Sequence, residues 1–104
     1  MRVVLLVLFV HLILVSLVSV AEPITITLDQ QKFAESIVRT NPEIVNAAWY
    51  SSTDLWVETT EPAKNKADSL SLAVLKTGAS LNLPFCVIVH AGDYQQIVKH
   101  CIEQ

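Results

Sequence analysis

The stretch IVNAAWYSSTDLWVETT, residues 44–60, decides the predicted fold. It holds two runs of β-branched, aromatic and small residues, Ile44 to Tyr50 and Leu55 to Thr60, with a polar segment from Ser51 to Asp54 between them. A short polar turn between two such runs is typical of a β-hairpin. The sequence therefore predicts two antiparallel strands in this stretch.

Three aromatic side chains of this hairpin are candidates for binding a partner. Successive side chains of a strand point to opposite faces, so Trp49 and Tyr50 lie on opposite sides of the sheet. We expect Tyr50 to pair with Leu55 across the turn, which would place Trp49 beside Trp56. Leu55 and Val57 would then share the face of Tyr50. Because tryptophan and tyrosine dominate interface energetics, Trp49, Tyr50 and Trp56 are the predicted binding residues.

A strand and a helix are predicted before the hairpin. The segment from Ile24 to Leu28 alternates apolar and hydroxyl-bearing residues, which is the period of a half-buried strand. Asp29 is then placed to cap a helix that runs to Thr40. Asn41-Pro42 ends this helix, because the residue before a proline disfavours helical backbone.

A second helix and a third strand are predicted after the hairpin. Glu61-Pro62 opens the helix, since proline is tolerated in a first helical turn, and Gly78 is the expected C-terminal cap. Pro84 then precedes the apolar run from Phe85 to Val89, which predicts a buried strand.

The last segment is predicted to be a helix that a disulfide holds against the sheet. Asp93, with Gln96 three residues later, resembles a capping box. A helix that folds back from this point returns Cys101 to the level of Cys86, given the rise per residue of strands and helices. An even number of cysteines in an exported chain favours a disulfide, so we predict the pair Cys86 and Cys101.

These elements define an α+β fold in the order βαββαβ with an additional C-terminal helix. The first six elements have the order of the ferredoxin-like, or split βαβ, arrangement. The alternative is αββαβα, in which the residues from Ile24 to Leu28 form a loose arm and the first strand is absent.

Residues 1–21 have the pattern of a secretory signal peptide. Arg2 supplies a positive charge, Val3 to Val18 is largely apolar, and Ser19 and Ala21 are the small residues that a signal peptidase requires before the cut. We expect cleavage before Glu22, a single α+β domain over residues 22–104, and a periplasmic or extracellular location. The alternative is an uncleaved membrane anchor, since the run approaches the length that spans a bilayer.

The charge of the chain argues against nucleic acid as a partner. Residues 22–104 carry six basic residues against ten carboxylates, and the basic residues are not clustered. Nucleic-acid binding needs a concentrated positive face that displaces counterions from phosphates. We therefore expect no nucleic acid as a partner. Contact with a membrane is expected only through the N-terminal segment, if that segment is retained.

His90, His100, Cys86 and Cys101 are the residue types that bind zinc or copper, but their spacing does not favour a metal site. Cys86 and His90 would lie on one face of a strand about 13 Å apart. Side chains of adjacent residues, such as His100 and Cys101, diverge around a helix. We predict no metal, no cofactor and no catalytic residue, and we keep a thiol- or metal-dependent activity at these four residues as an alternative.

Both faces of the predicted sheet are apolar, whereas two helices of a ferredoxin-like unit cover only one of them. The second face is covered either by the C-terminal helix or by a partner: another protein, a second copy of the chain or a small apolar ligand. We expect a small exported, non-enzymatic binding module that uses the hairpin aromatics and a sheet face. The alternative non-enzymatic function is that of a protease-inhibitor-like or propeptide-like domain.

Overall fold

The computed structural model of the chain describes residues 25–102, so the predicted signal peptide lies outside the described residues. The main elements in chain order are α1 (Leu28–Thr40), β1 (Ile44–Ser51), β2 (Asp54–Thr59), α2 (Ala67–Thr77), β3 (Phe85–His90) and β4 (Val98–Ile102). Two 3₁₀ segments, Glu61–Lys66 and Gly78–Leu81, flank α2. None of the helices within residues 25–102 is both long enough and apolar enough to cross a membrane.

The four strands form one mixed sheet in the order β1-β2-β3-β4. β1 and β2 are antiparallel, β2 and β3 are parallel, and β3 and β4 are antiparallel. The parallel pair is possible because α2 and its 3₁₀ segments carry the chain back to the starting edge of the sheet. The predicted α+β class is confirmed, whereas the ferredoxin-like order is not.

The chain before α1 forms no strand in the described residues. The segment 25–27 has no regular structure, and Leu28 already belongs to the helix. Thr27, rather than Asp29, is the N-cap: its Oγ1 accepts from the Gln30 amide at 3.1 Å, and the Gln30 side chain accepts from the Thr27 amide at 3.0 Å. This reciprocal capping box satisfies two helix-end donors and overrides the alternation that predicted a strand.

The hairpin is confirmed, but its predicted register is wrong. Trp49, not Tyr50, pairs with Leu55, and Ala48 pairs with Trp56. The pairing is irregular between Trp49 and Ser51, next to the turn. An irregularity of this kind shifts the register by one residue and exchanges the faces of the side chains. Trp49 and Trp56 therefore lie on opposite faces of the sheet.

The predicted C-terminal helix is wrong, because residues 98–102 form strand β4. Asp93 Oδ1 accepts from the Gln95 amide at 3.0 Å, which makes a local turn and not a helix cap. Tyr94 has φ 58°, a left-handed conformation that a helix does not accept. The strand alternates half-buried residues (Val98, His100 and Ile102) with exposed ones (Lys99 and Cys101), as expected for an edge strand.

One face of the sheet carries the core. The helix α1 packs against β1, and α2 packs against β3 and β4. The rings of Phe33 and Phe85 meet edge to face at 6.2 Å. Five strand residues of this core are 0–1% exposed: Leu55, Val57, Phe85, Val87 and Val89. We call this side the inner face, and the opposite side the outer face.

Position 78, at the end of α2, requires glycine because neighbouring side chains leave no space for a Cβ. Its backbone angles impose no such requirement. Its φ of −78° suits any residue. A Cβ at this position would lie 2.5 Å from Phe85 Cζ and 3.0 Å from Phe33 Cζ. The absence of a side chain therefore lets both rings reach the end of the helix.

The predicted disulfide is confirmed, although it joins two strands and not a helix to a strand. Cys86 and Cys101 are directly opposite each other in the β3–β4 pair, and their sulfur atoms are bonded. A disulfide is compatible with an oxidising, exported environment. It fastens the edge strand β4 to the interior strand β3.

Replacing Cys86 and Cys101 together by serine is expected to lower the free energy of unfolding by about 3 kcal/mol. The disulfide closes a loop with a sequence separation of 15 residues, and its loss frees that loop in the unfolded chain. Denaturant titration of the variant, with the reduced wild-type protein as control, measures this loss. An unfolding free energy equal to that of the oxidised protein would contradict it.

Gly78→Ala is expected to destabilise the protein by about 1–3 kcal/mol, because the added methyl group collides with the Phe85 ring. At a position with ordinary helical angles and free space, the same change would stabilise by about 0.4–1 kcal/mol. Thermal and denaturant unfolding decide between the two signs. In a Phe85→Leu background the loss should shrink, and a gain in stability in the wild-type background would refute the packing argument.

Candidate functional site

The outer face carries the side chains that point away from the helices. The register places Ala48, Trp56, Ile88 and Lys99 in one row across the four strands. The next row toward the hairpin turn holds Asp54 and the two cysteines, with Ser51 at its β1 end. Tyr50 precedes Ser51 at the irregular pairing and stacks on Trp56. The row on the other side holds Asn46, Glu58 and His90.

Four aromatic rings on this face form a closed group, which we call the aromatic cluster: Tyr50, Trp56, His90 and Tyr94. The ring centroids are 5.5 Å apart for Tyr50 and Trp56, and 5.8 Å for Trp56 and His90. Tyr94 completes the group, at 4.5 Å from His90 and 6.0 Å from Tyr50. Offset stacking at such distances is favourable for aromatic pairs.

The loop after β3 brings Tyr94 into the cluster. The His90 side chain is buried, and its Nδ1 accepts hydrogen bonds from the backbone amides of Gly92 at 3.1 Å and Tyr94 at 3.3 Å. Gly92 has φ 103°, a conformation that strongly favours glycine. The loop thus folds back over the end of its own strand, and the Tyr94 ring stacks on the imidazole.

The cluster is accessible at its edges. Tyr50 is 44% exposed and Tyr94 is 54% exposed, while Trp56 is half-buried between them. The predicted C-terminal helix was one of two possible covers for this face, but residues 98–102 form a strand of the sheet itself. Among residues 25–102, the loop with Tyr94 is the segment that the aromatic contacts place on this part of the outer face.

The three predicted binding residues do not form one site. Tyr50 and Trp56 stack on the outer face with an angle of 23° between their rings. Trp49 lies on the inner face, where its ring is 5.4 Å from that of Phe85 and its Nε1 donates to the Gln30 carbonyl oxygen at 2.7 Å. Trp49 therefore joins α1 to the sheet.

Two members of the cluster were missed as binding residues. The sequence places Tyr94 in the predicted last helix, and it offers His90 only for a thiol- or metal-dependent activity. Gly92 and Asp93, which follow shortly after a strand, are the signal for a turn that would separate Tyr94 from any helix. The stacking of Tyr94 on the sheet depends on the left-handed backbone at Tyr94, which the sequence pattern does not reveal.

The hydroxyl groups of the cluster influence each other. Hydrogen bonding to the Tyr94 side chain raises the pKa of Tyr50 above its ordinary value of 10.0. Desolvation and the negative charge of Glu58 raise this pKa further. The cluster therefore favours a neutral phenol at position 50, and a carboxylate lies near it.

The residues of the thiol or metal alternative are dispersed. Cys86 and Cys101 are bonded to each other, and His90 and His100 lie on opposite faces of the sheet. His100 Nε2 is 2.6 Å from Asp68 Oδ1, at the contact between β4 and α2. Within residues 25–102 no group of three or more His, Cys, Asp or Glu side chains is arranged to hold a metal ion.

A groove of about 280 Å³ lies between β1 and α1, away from the aromatic cluster. It is lined by Ile26, Gln31, Ala34, Glu35 and three residues of β1, which are Ala47, Ala48 and Trp49. The groove is shallow and holds no titratable side chain besides Glu35, so it offers fewer recognition groups than the aromatic cluster.

Comparison of the chain with protein families, with curated proteins and with solved structures finds no match. The aromatic cluster, the buried histidine that supports it and the neighbouring carboxylate are thus the features from which a function can be inferred. They form a partly exposed aromatic surface, and among the described residues this surface brings no nucleophile or paired acid and base together.

Tyr94→Phe is expected to lower the pKa of Tyr50 toward 10.0, because it removes the main hydrogen-bonding partner. Because the pKa of Tyr50 is raised in the folded protein, this group stabilises the fold at pH values below 10.0, its ordinary pKa. The stabilisation is lost as the pH rises through the pKa of the folded protein. Alkaline titration of the phenolate absorbance measures the shift. In Tyr50→Phe the late-ionising group should disappear, and an identical titration of wild type and Tyr94→Phe would contradict the assignment.

Proposed function

We propose that this chain is a small exported, non-enzymatic binding module that holds a partner protein against the aromatic cluster. The observation that carries the proposal is the exposed stack of Tyr50, Trp56 and Tyr94 on a sheet face that no helix of the described chain covers. Exposed aromatic groups of this kind are typical of interaction sites.

The rigidity of the cluster supports binding. Tyr50 and Trp56 stand on paired strands, and the buried His90 fixes the loop of Tyr94 by two hydrogen bonds. Rings that are already ordered lose little conformational entropy when a partner arrives. A surface of this kind suits a partner that contacts the face without rearranging it.

Catalysis is less well supported by the described residues. The disulfide leaves neither cysteine as a free thiol, and His90 uses Nδ1 to hold its own loop. The close pair of His100 and Asp68 lies at the contact between β4 and α2. Within residues 25–102 no nucleophile is hydrogen-bonded to this pair. Function as a protease-inhibitor-like or propeptide-like domain stays a prediction from size and compartment.

Site-specific cross-linking in the organism of origin tests the proposal. A photoreactive phenylalanine analogue at position 50 should give one discrete protein adduct, because this position lies at the rim of the cluster. The same group at Leu72, a 49% exposed apolar residue of α2, is the matched control and should give no discrete adduct.

Trp56→Ala in the position-50 variant should reduce the adduct at least tenfold, as expected for an aromatic anchor whose truncation costs roughly 2 kcal/mol or more. An adduct of twice the chain mass would identify a second copy as the partner. Equal adducts from positions 50 and 72, or none from position 50, would overturn the proposal.

A further inference from the structure

The negative charge excess of the described chain lies on the outer face. Asp54 and Glu58 belong to this face, and Asp93 lies in the loop of Tyr94, whereas Lys99 is the basic residue of this face within residues 25–102. The other carboxylates are Asp29, Glu35, Glu43, Glu61 and Asp68, and they are matched in number by Lys32, Arg39, Lys64, Lys66 and Lys76. A partner with a positive group is therefore favoured at the outer face and not at the helices.

Glu58 places one of these charges at the rim of the aromatic cluster. It pairs with Asn46 on one side and with His90 on the other in the register. Its carboxylate lies next to Gly92, where a Cβ would be 3.5 Å from Glu58 Oε2. Its charge also acts on Tyr50, at the other side of Trp56. No ion pair within residues 25–102 engages Glu58. Glu58 is half-buried, so its carboxylate can pair with a group from outside.

The aromatic rings complement this carboxylate. Tyr50, Trp56 and Tyr94 have centroids 5.5–6.4 Å from one another, so a cation that sits over one ring lies close to the others. A cation within about 6 Å of an aromatic centroid is attracted by the ring quadrupole. A guanidinium group is planar, stacks on rings and forms paired hydrogen bonds with a carboxylate. An apolar occupant would instead cover Glu58 without pairing its charge, which is unfavourable.

We infer that the aromatic cluster and Glu58 together receive an arginine side chain of the partner protein. This inference rests on the proposed function and names the group that is recognised. The guanidinium stacks on Tyr50, Trp56 or Tyr94, and its donors reach Glu58. Binding is consequently weakened by salt, because both the charge pair and the attraction of the acidic face are screened.

A titration followed by nuclear magnetic resonance tests the inference on the oxidised protein. The probe is the blocked tripeptide Gly-Arg-Gly, and its neutral counterpart carries citrulline, which keeps the shape of arginine without its charge. The arginine peptide should shift the indole signal of Trp56 and leave that of Trp49 in place, since Trp49 is on the inner face. The citrulline peptide should bind at least about tenfold more weakly.

Glu58→Gln should weaken binding of the arginine peptide about three- to tenfold, as expected for loss of one charge-assisted pair. Glu35→Gln, which removes a carboxylate from α1, is the matched control and should leave the affinity unchanged. The comparison of the two peptides needs no variant, so it decides the question even if Glu58→Gln fails to fold.

Equal shifts of Trp56 by the arginine and citrulline peptides, or an unchanged affinity in a folded Glu58→Gln variant, would overturn the arginine inference. The proposed binding function would then still stand on cross-linking from position 50. Loss of that cross-linking, by contrast, would remove the binding function itself, whatever the peptides do.

Discussion

The parallel pairing of β2 with β3 is the interaction on which the rest of the structure depends. It joins two antiparallel pairs, β1 with β2 and β3 with β4, into one sheet. On the inner face, this seam brings Leu55 and Val57 beside Val87 and Val89, all fully buried. On the outer face, it sets Trp56 and Glu58 beside the end of β3, where His90 stands. The core and the candidate binding surface are therefore two sides of one pairing.

The two faces of the sheet differ because helices cover one of them. Trp49 and Trp56 illustrate this difference, since they lie near each other in the hairpin and have opposite surroundings. Trp49 packs on Phe85 and donates a hydrogen bond to α1. Trp56 stacks on Tyr50 and makes a tilted contact with the buried His90. A shift of one residue in the register would exchange these environments. The irregular pairing before Ser51 consequently determines which tryptophan lies on the outer face.

Local patterns predicted most of the elements, and the error in the C-terminal segment arose where distant contacts compete with local ones. The hairpin, the two helices, the strand from Phe85 and the disulfide follow from composition and spacing. The Asp93 and Gln96 pattern predicted a helix, but the pairing of Cys101 with Cys86 and of Val98 with Val89 makes a strand. Thr27 and Gln30 have the spacing of a capping box, but the alternation from Ile24 to Leu28 favours a strand there. Tyr50 and Trp56 were predicted as a site, while Tyr94 joins them through a left-handed turn that periodicity does not encode.

The irregular pairing at both ends of β1 has a consequence for association between molecules. An edge strand presents free backbone donors and acceptors to any other strand, and a long flat edge promotes aggregation. β1 is an edge of eight residues, and Val45 on it is 52% exposed. Its register shifts after Ile44 and again after Trp49 leave only a short regular ladder between them. Irregular pairing bends and twists a strand, so this edge is a poor template for a strand of another molecule. A poor template at the edge lowers the tendency of a small protein with an exposed aromatic face to aggregate.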